Sequence, residues 1–143
     1  MPEGAYLVMK RKAAQKATPD QSMERNSSYH RRFALLAAKE AERVLPFFEK
    51  ERPKDRRPRR AIEAIMAWAQ GKRKLGMAQV RKLSLDSHAA AREAKSDAAR
   101  FAARAAGQAV TTWHVPTHAM GAPMYAGKAI LANKTSPPKR QRQ

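Results

Sequence analysis

The fold of this chain is decided by the stretch from Lys82 to Met120, of which residues 96–113 read S-D-A-A-R-F-A-A-R-A-A-G-Q-A-V-T-T-W. Apolar residues recur here at steps of three and four, the spacing of one helix face. They are Ala98, Ala102, Ala105, Ala106, Ala109, Val110 and Trp113. Because such small side chains let another backbone approach closely, the stretch predicts a helix around which the rest of the chain is organised.

The composition predicts a single all-α domain. A chain of 143 residues, 43% of them hydrophobic, is long enough for a core. Alanine is the best helix former, and no alternating run of β-branched or aromatic residues predicts a strand. We therefore expect one compact bundle of about five helices over residues 27–133. A basic arm (1–26) would precede it, and a basic, disordered tail (134–143) would follow it.

Working outward, helix signals place the remaining elements. Helices are predicted at 28–49, 58–70, 76–94 and 97–113, with a fifth reaching residue 133 after a turn at 115–117. Pro46 lies inside the first, so that helix either bends there or gives way to a separate short turn. Gly107 inside the fourth predicts a close helix crossing. The candidate caps are Ser27 or Ser28, Asp55 or Arg57, and Ser96 at N-termini, and Gly71 at a C-terminus.

The predicted inward faces follow the same helical spacing. In the first helix they comprise Phe33, Leu36, Ala37, Ala41, Val44, Leu45 and Phe48. In the second and third they comprise Ile62, Ile65, Met66 and Ala69, with Trp68 beside them, and Val80, Leu83, Ser87 and Ala91. In the fifth the apolar anchors would be Met120, Met124, Ile130 and Leu131.

The charge points to an anionic partner. Thirty Lys and Arg residues oppose twelve Asp and Glu residues, which gives a net charge of +18. A field of this sign favours nucleic acid, an acidic protein surface or anionic lipid. The alternative is that the charge serves solubility alone.

The residues exclude several classes of protein. There is no cysteine, so disulfides, Cys-based zinc sites and a Cys nucleophile are excluded. No apolar run approaches the roughly 18 residues of a membrane span. We expect a cytoplasmic protein without a membrane partner. The basic residues 1–17 leave a mitochondrial presequence as the alternative.

Three of the four histidines lie in the deciding stretch, and with one arginine they form a candidate pocket: His88, Arg92, His114 and His118. His114 and His118 are spaced i, i+4, which can place two ligands on one helix face. A metal would still need a third ligand from another helix, so we predict no metal and no cofactor. The alternative to a pocket is structural, with the histidines hydrogen-bonding across tight helix contacts.

Two basic clusters flank the second predicted helix and are the candidate contacts for an anionic partner: Arg56, Arg57, Arg59 and Arg60 at one end, and Lys72, Arg73 and Lys74 at the other. Aromatic residues are not interleaved with them apart from Trp68, so stacking of single-stranded bases is weakly supported. No nucleophile motif, Gly-rich phosphate loop or close carboxylate pair occurs. We therefore predict no enzymatic activity and no catalytic residues.

Several blocks in the right order resemble the Imm-5-like family of immunity proteins: A-E-R-V-L-P-F-F-E (41–49), D-R-R-P-R-R-A-I-E-A (55–64), S-L-D-S-H-A-A-A-R-E (84–93), A-A-R-A-A-G-Q-A-V (102–110) and H-V-P-T-H-A-M-G-A-P-M-Y-A (114–126). The resemblance implies a small all-helical protein that binds a toxin domain and blocks its active site. The motif positions are Arg57, Pro58, Asp86, His88, Arg92, Gly107, His114 and His118. The strongly basic charge departs from the family pattern, so the protein would need either an acidic toxin surface or a different function.

The sequence thus supports a non-catalytic immunity-like protein that binds and neutralises a toxin or effector domain. The alternative is a basic helical structural protein associated with nucleic acid or a ribonucleoprotein. A third hypothesis is a small-ligand or metal site among His88, His114 and His118. The oligomeric state stays open.

Overall fold

The structure, a computed structural model, describes residues 27–135. It consists of α1 (Ser28–Glu51), α2 (Arg57–Ala69), α3 (Met77–Glu93), α4 (Asp97–Thr111), a 3-10 helix (Pro116–Met120) and α5 (Gly121–Thr135). Because these residues contain no strand, the predicted all-α bundle is confirmed. The predicted arm (1–26) and residues 136–143 of the predicted tail (134–143) lie outside the described residues. Lys134 and Thr135, the first two residues of that tail, instead belong to α5. The predicted domain boundaries stay predictions.

Helix α4 lies at the centre of the bundle and contacts every other helix described. Its buried residues are almost all alanine: Ala98, Ala99, Ala102, Ala103, Ala105, Ala106, Gly107, Ala109 and Val110. Since these side chains are small, stabilisation depends on close approach of the neighbouring helices rather than on large buried side chains. The organising role predicted for this stretch is confirmed.

The closest approach that we describe is the crossing of α3 over α4. The Ser87 hydroxyl donates to the Ala103 carbonyl at 2.8 Å, and the Ser84 hydroxyl donates to the Gly107 carbonyl at 3.1 Å. A Cβ atom on Gly107 would lie 2.6 Å from Nε2 of His88. The close crossing predicted from Gly107 is therefore confirmed, and the His88 ring occupies the space that a larger residue would need.

Helix α1 continues through Pro46 to Glu51, so the separate-turn alternative is wrong. Ser27 is its N-cap, and the Ser27 hydroxyl accepts the His30 N–H at 3.1 Å. At the other end, the Glu51 carboxylate accepts the N–H groups of Lys95 and Ser96 at 2.9 and 2.8 Å. The end of α1 therefore holds the start of α4.

The start of α4 is also capped as predicted, because the Ser96 hydroxyl accepts the Ala99 N–H at 3.1 Å. Helix α2 differs slightly from the prediction. Its N-cap residue is Arg56, which makes no side-chain cap bond. The Asp55 carboxylate nevertheless accepts the Arg57 N–H at 3.2 Å, so one first-turn donor is satisfied from the predicted residue.

The inward faces of α1 and α5 are partly wrong in the prediction. Phe33 and Leu36 are 39% and 56% exposed. Three of the predicted α5-side anchors are exposed as well: Met120 (74%), Met124 (51%) and Leu131 (62%). Alanines that were not predicted to be buried turn inward instead: Ala34 and Ala38 in α1, and Ala122, Ala126 and Ala129 in α5. The other predicted inward residues of α1 are buried as expected: Ala37, Ala41, Val44, Leu45 and Phe48. Because two helices approach most closely along small residues, the alanine stripe and not the largest side chains sets the helix rotation.

None of the helices within residues 27–135 combines the length and the apolar character needed to cross a membrane.

Candidate functional site

A cavity of about 600 Å³ opens where α1 begins, α2 ends and the chain leaves α4. Its volume is in the range of ligand-binding sites, about 300–1,000 Å³. We call it the tryptophan cavity, and its lining residues are Arg31, Trp68, Gly71, Lys72, Arg73, Lys74, Leu75 and Trp113. None of these described lining residues is acidic, so the cavity carries a concentrated positive charge.

Two indole rings form the inner wall of the tryptophan cavity. Trp68 is 2% exposed and Trp113 is 6% exposed. The imidazole of His30 meets Trp68 edge-on, with ring centroids 4.8 Å apart. Nε2 of His30 also donates to the Thr112 carbonyl, because a carbonyl oxygen can only accept. His30 therefore joins the start of α1 to the ends of α2 and α4, and this fixes the inner wall.

The guanidinium of Arg31 is held rigidly at the cavity. It lies 4.6 Å from the Trp68 ring centroid, a cation–π distance, and its Nη1 donates to the Trp68 carbonyl. The side chain is half-buried. Because a guanidinium carries five N–H donors, this arrangement leaves others to bind a ligand.

The loop after α2 carries three exposed cations to the mouth of the cavity. Gly71 has φ of 74°, the left-handed conformation that glycine adopts without strain. The Lys72 N–H donates to the Ala67 carbonyl at 2.8 Å and the Gly71 N–H donates to the Trp68 carbonyl at 3.0 Å, which together form a Schellman motif. This confirms the predicted role of Gly71 and turns the loop back over the end of α2.

We call Lys72, Arg73 and Lys74 the basic rim. All three residues are exposed. Within residues 27–135 none of the three forms an ion pair. Their charges therefore remain available to a partner.

The other predicted basic cluster is mostly engaged inside the protein. Arg59 forms a two-pronged pair with the Glu49 carboxylate, and its hydrogen bond holds the pKa of Glu49 below the ordinary value. Arg57 pairs in the same way with Asp55, and that hydrogen bond lowers the pKa of Asp55. These pairs join the first, second and third helices, because Arg57 also reaches Glu93.

The remaining members of that cluster are more open. Arg56 approaches Glu63 at 3.8 Å, and both side chains are exposed, so this pair contributes little. Arg60 is exposed and forms no ion pair with another described residue. Of the seven predicted anion contacts, Arg57 and Arg59 are therefore engaged within the fold. Arg56 and Arg60 at the start of α2 are exposed, as are the three residues of the basic rim at its end.

The histidines do not form one pocket. His114 and His118 share a shallow depression of about 220 Å³, which is also lined by Met77, Val80, Arg81, Ser84, Leu85 and Thr111. His88 does not line it, and Arg92 is exposed near the end of α3. Within the described residues no group of three or more His, Asp or Glu side chains is placed to hold a metal ion.

The His88 ring belongs to the crossing of α3 and α4. Its Nδ1 accepts a hydrogen bond from Nη1 of Arg104 at 2.9 Å, because a guanidinium can only donate. Burial lowers the pKa of His88, and the positive charges of Arg104 and Arg92 lower it further. His88 is therefore a neutral histidine that fills the crossing, which fits the structural alternative for this residue.

Sequence reasoning missed three residues that form or support the tryptophan cavity: His30, Arg31 and Trp113. Trp113 was predicted to be buried but not to line a site. His30 lies four residues before Ala34 and seven before Ala37, so it extends the buried stripe of α1, and this signal was readable. Arg31 gave no such signal, because its partner Trp68 is 37 residues away in the chain.

The described residues thus form an all-helical bundle with a basic cavity at one end of α2. The family model described as Imm-5 like putative immunity protein matches residues 23–143. The chain therefore belongs to the Imm-5-like family. Comparison with curated proteins and with solved structures gives no significant match.

Proposed function

We propose that this protein is a non-catalytic immunity protein that binds a toxin or effector domain and occludes its active site. Membership of the Imm-5-like family supports this function. The proposal includes the cytoplasm as the compartment where the complex forms. It assigns binding to the basic rim and the tryptophan cavity, and it assigns no chemical step to any residue.

The observation that carries the proposal is the contrast between the two ends of α2. At its start, Arg57 and Arg59 are bound by carboxylates of this chain. At its end, the basic rim stands exposed beside a cavity whose described lining residues include no Asp or Glu. Unpaired cations around a concave surface favour an acidic protein partner and accelerate its association.

The test is co-expression with the toxin domain encoded by a neighbouring reading frame. We expect the two proteins to co-purify and the cells to survive. The triple variant K72Q/R73Q/K74Q should weaken the complex and reduce rescue. Its matched control, K39Q/K54Q/K134Q, removes the same charge from exposed positions away from the cavity and should rescue fully. No complex and no rescue with the unchanged protein would contradict the function.

The net charge of +18 favours a second candidate, a basic structural protein bound to nucleic acid. With Trp68 and Trp113 almost fully buried, such binding would use phosphate contacts rather than base stacking. Its affinity for RNA or DNA should then fall steeply between about 50 and 200 mM salt. Affinity that does not change over this range would rule the mechanism out.

A further inference from the structure

The tryptophan cavity has the chemistry of an anion site but not of an aromatic-stacking site. Its outer residues are cations, and its two indoles are 2% and 6% exposed. One contact of the Trp68 ring is already taken by the Arg31 guanidinium and another by the His30 imidazole. A flat ligand therefore finds little ring surface, whereas a negative group finds four positive charges.

Arg31 is the residue best placed to bind that negative group. Its contacts with the ring and the carbonyl of Trp68 hold the guanidinium in one orientation before any ligand arrives. A fixed planar guanidinium matches a carboxylate through two parallel N–H···O bonds. Because the side chain is ordered in advance, little of its conformational entropy is lost on binding.

We propose that the tryptophan cavity binds the carboxylate of an Asp or Glu side chain in an acidic peptide segment. Arg31 binds the carboxylate, and the basic rim attracts the acidic residues that flank it. This inference rests on the proposed function, because the peptide segment would belong to the toxin domain.

The arrangement of the cations around the tryptophan cavity favours an acidic peptide over a nucleic acid as the ligand. A nucleic-acid groove needs cations that follow a phosphate backbone, with exposed aromatic rings to stack bases. Here the cations surround one concave site, and at the start of α2 Arg57 and Arg59 are held by Asp55 and Glu49.

The chain provides its own probe for a direct test. It contains two tryptophans, and both line the cavity, so tryptophan emission reports binding there. The full-length protein would be titrated with an acetylated and amidated Glu-Gly-Glu-Gly-Glu peptide at constant ionic strength. Parallel titrations would use the Gln-Gly-Gln-Gly-Gln peptide, inorganic phosphate and a short oligothymidylate.

We expect a saturable change in emission with the Glu peptide and none with the Gln peptide. Arg31→Gln should weaken the Glu peptide about tenfold or more, since hydrogen bonds between charged groups carry that much affinity. Its neighbour Arg32 is exposed and does not line the cavity, so Arg32→Gln is the matched control and should bind as the unchanged protein does.

Arg31 also caps the end of α2, so folding must be checked by circular dichroism and thermal unfolding. If Arg31→Gln is poorly folded, K72Q/R73Q/K74Q replaces it, with K39Q/K54Q/K134Q as its control. The rim variant should also lose affinity for the Glu peptide, while its control should not.

Three results would overturn the inference: no saturable response to the Glu peptide, an equal response to the Gln peptide, or a response that survives both the Arg31 and the rim substitutions. Tighter binding of oligothymidylate or phosphate than of the Glu peptide would overturn it in favour of a phosphate ligand. A toxin complex that forms equally well with Arg31→Gln would leave the proposed function standing and remove the cavity from it. Peptide binding without any toxin complex would support the carboxylate site in the cavity and contradict the proposed function.

Discussion

At the scale of single residues, His88 and Gly107 form one packing unit. The imidazole occupies the space over Gly107, and Arg104 holds its other nitrogen. Gly107 alone predicted a close helix crossing, but the sequence did not show that His88 fills the space above it. Together they set how closely α3 and α4 approach. A double-mutant cycle of Gly107 and His88 can therefore measure their interaction.

Gly107→Ala should destabilise the protein by about 1–3 kcal/mol, because the new methyl group collides with the His88 ring. In a His88→Ala background the same change should be neutral or stabilising, since alanine is a better helix former than glycine by about 1 kcal/mol. Urea unfolding of the four proteins gives the coupling energy.

The control for this cycle is Gly127→Ala in α5, where no atom of another described helix lies within 4 Å of the added Cβ. This change should stabilise the protein by about 0.5–1 kcal/mol. Equal effects of the two glycine substitutions would contradict the packing unit.

His88 also predicts a pH dependence with a definite sign. Because its folded-state pKa is lowered, the unfolded state binds more protons near its unfolded pKa of about 6.5. Stability should therefore be retained above about pH 6.5 and be lost as the pH falls from there through the folded-state pKa. His88→Gln should flatten the dependence between about pH 7 and 5, measured as the free energy of unfolding in urea.

Two comparisons separate this effect from others. Arg92→Gln removes one of the charges that lower the pKa of His88, so it should weaken the pH dependence without abolishing it. The lowered pKa values of Glu49 and Asp55 act in a different window, since their stabilisation is lost only below about pH 4. An identical slope in the unchanged protein and in His88→Gln would contradict the assignment.

At the scale of helices, local signals predicted the ends well. Ser27, Gly71 and Ser96 act within a few residues of the chain, so their sequence patterns were sufficient. Rotation about the helix axis was harder to predict. Phe33 and Leu36 satisfy the helical spacing as well as the alanines do, and only contact with other helices selects the buried stripe.

The candidate site was less predictable than the fold. The basic rim was readable as a charge run, because a charge run needs no tertiary information. The tryptophan cavity was not readable, since Arg31, Trp68 and Trp113 meet only when three helices assemble. The positions of the histidines also depend on helix assembly: His114 and His118 line one depression, and His88 lies at the crossing of α3 and α4.

The link between the end of α1 and the start of α4 supplies a prediction at this scale. Glu51→Ala should lower the free energy of unfolding by about 1–3 kcal/mol, because two N–H groups lose a charged acceptor. Glu42→Ala is the control: Glu42 is exposed on the same helix and should change stability by no more than about 0.5 kcal/mol. Similar effects in a urea unfolding series would show that the link contributes nothing.

At the scale of the whole molecule, positively charged side chains far outnumber the carboxylates that could pair with them. The net charge is +18, and most of the carboxylates in residues 27–135 are already used within the fold. Excess charge of one sign destabilises a compact state through self-repulsion. Salt should therefore act on this protein in the direction opposite to its effect on ion pairs.

We predict that raising NaCl from about 20 to 300 mM increases the melting temperature, because the Debye length shortens and repulsion is screened. K72Q/R73Q/K74Q should melt at a higher temperature than the unchanged protein at low salt and should gain less from added salt. Scanning calorimetry at constant pH measures both effects. A melting temperature that falls with salt would mean that the ion pairs outweigh the repulsion.

The alanine face of α4 divides the chain into positions that can vary and positions that cannot. The neighbouring helices pack closely against this face because its side chains are small. Replacing a buried alanine there by a larger residue should therefore lower the stability by about 1–3 kcal/mol. The basic rim supports no other described part of the fold through ion pairs, and changes there should cost little stability. If the basic rim binds the partner as we propose, a descendant of this chain can change its partner through the rim while it keeps the same core.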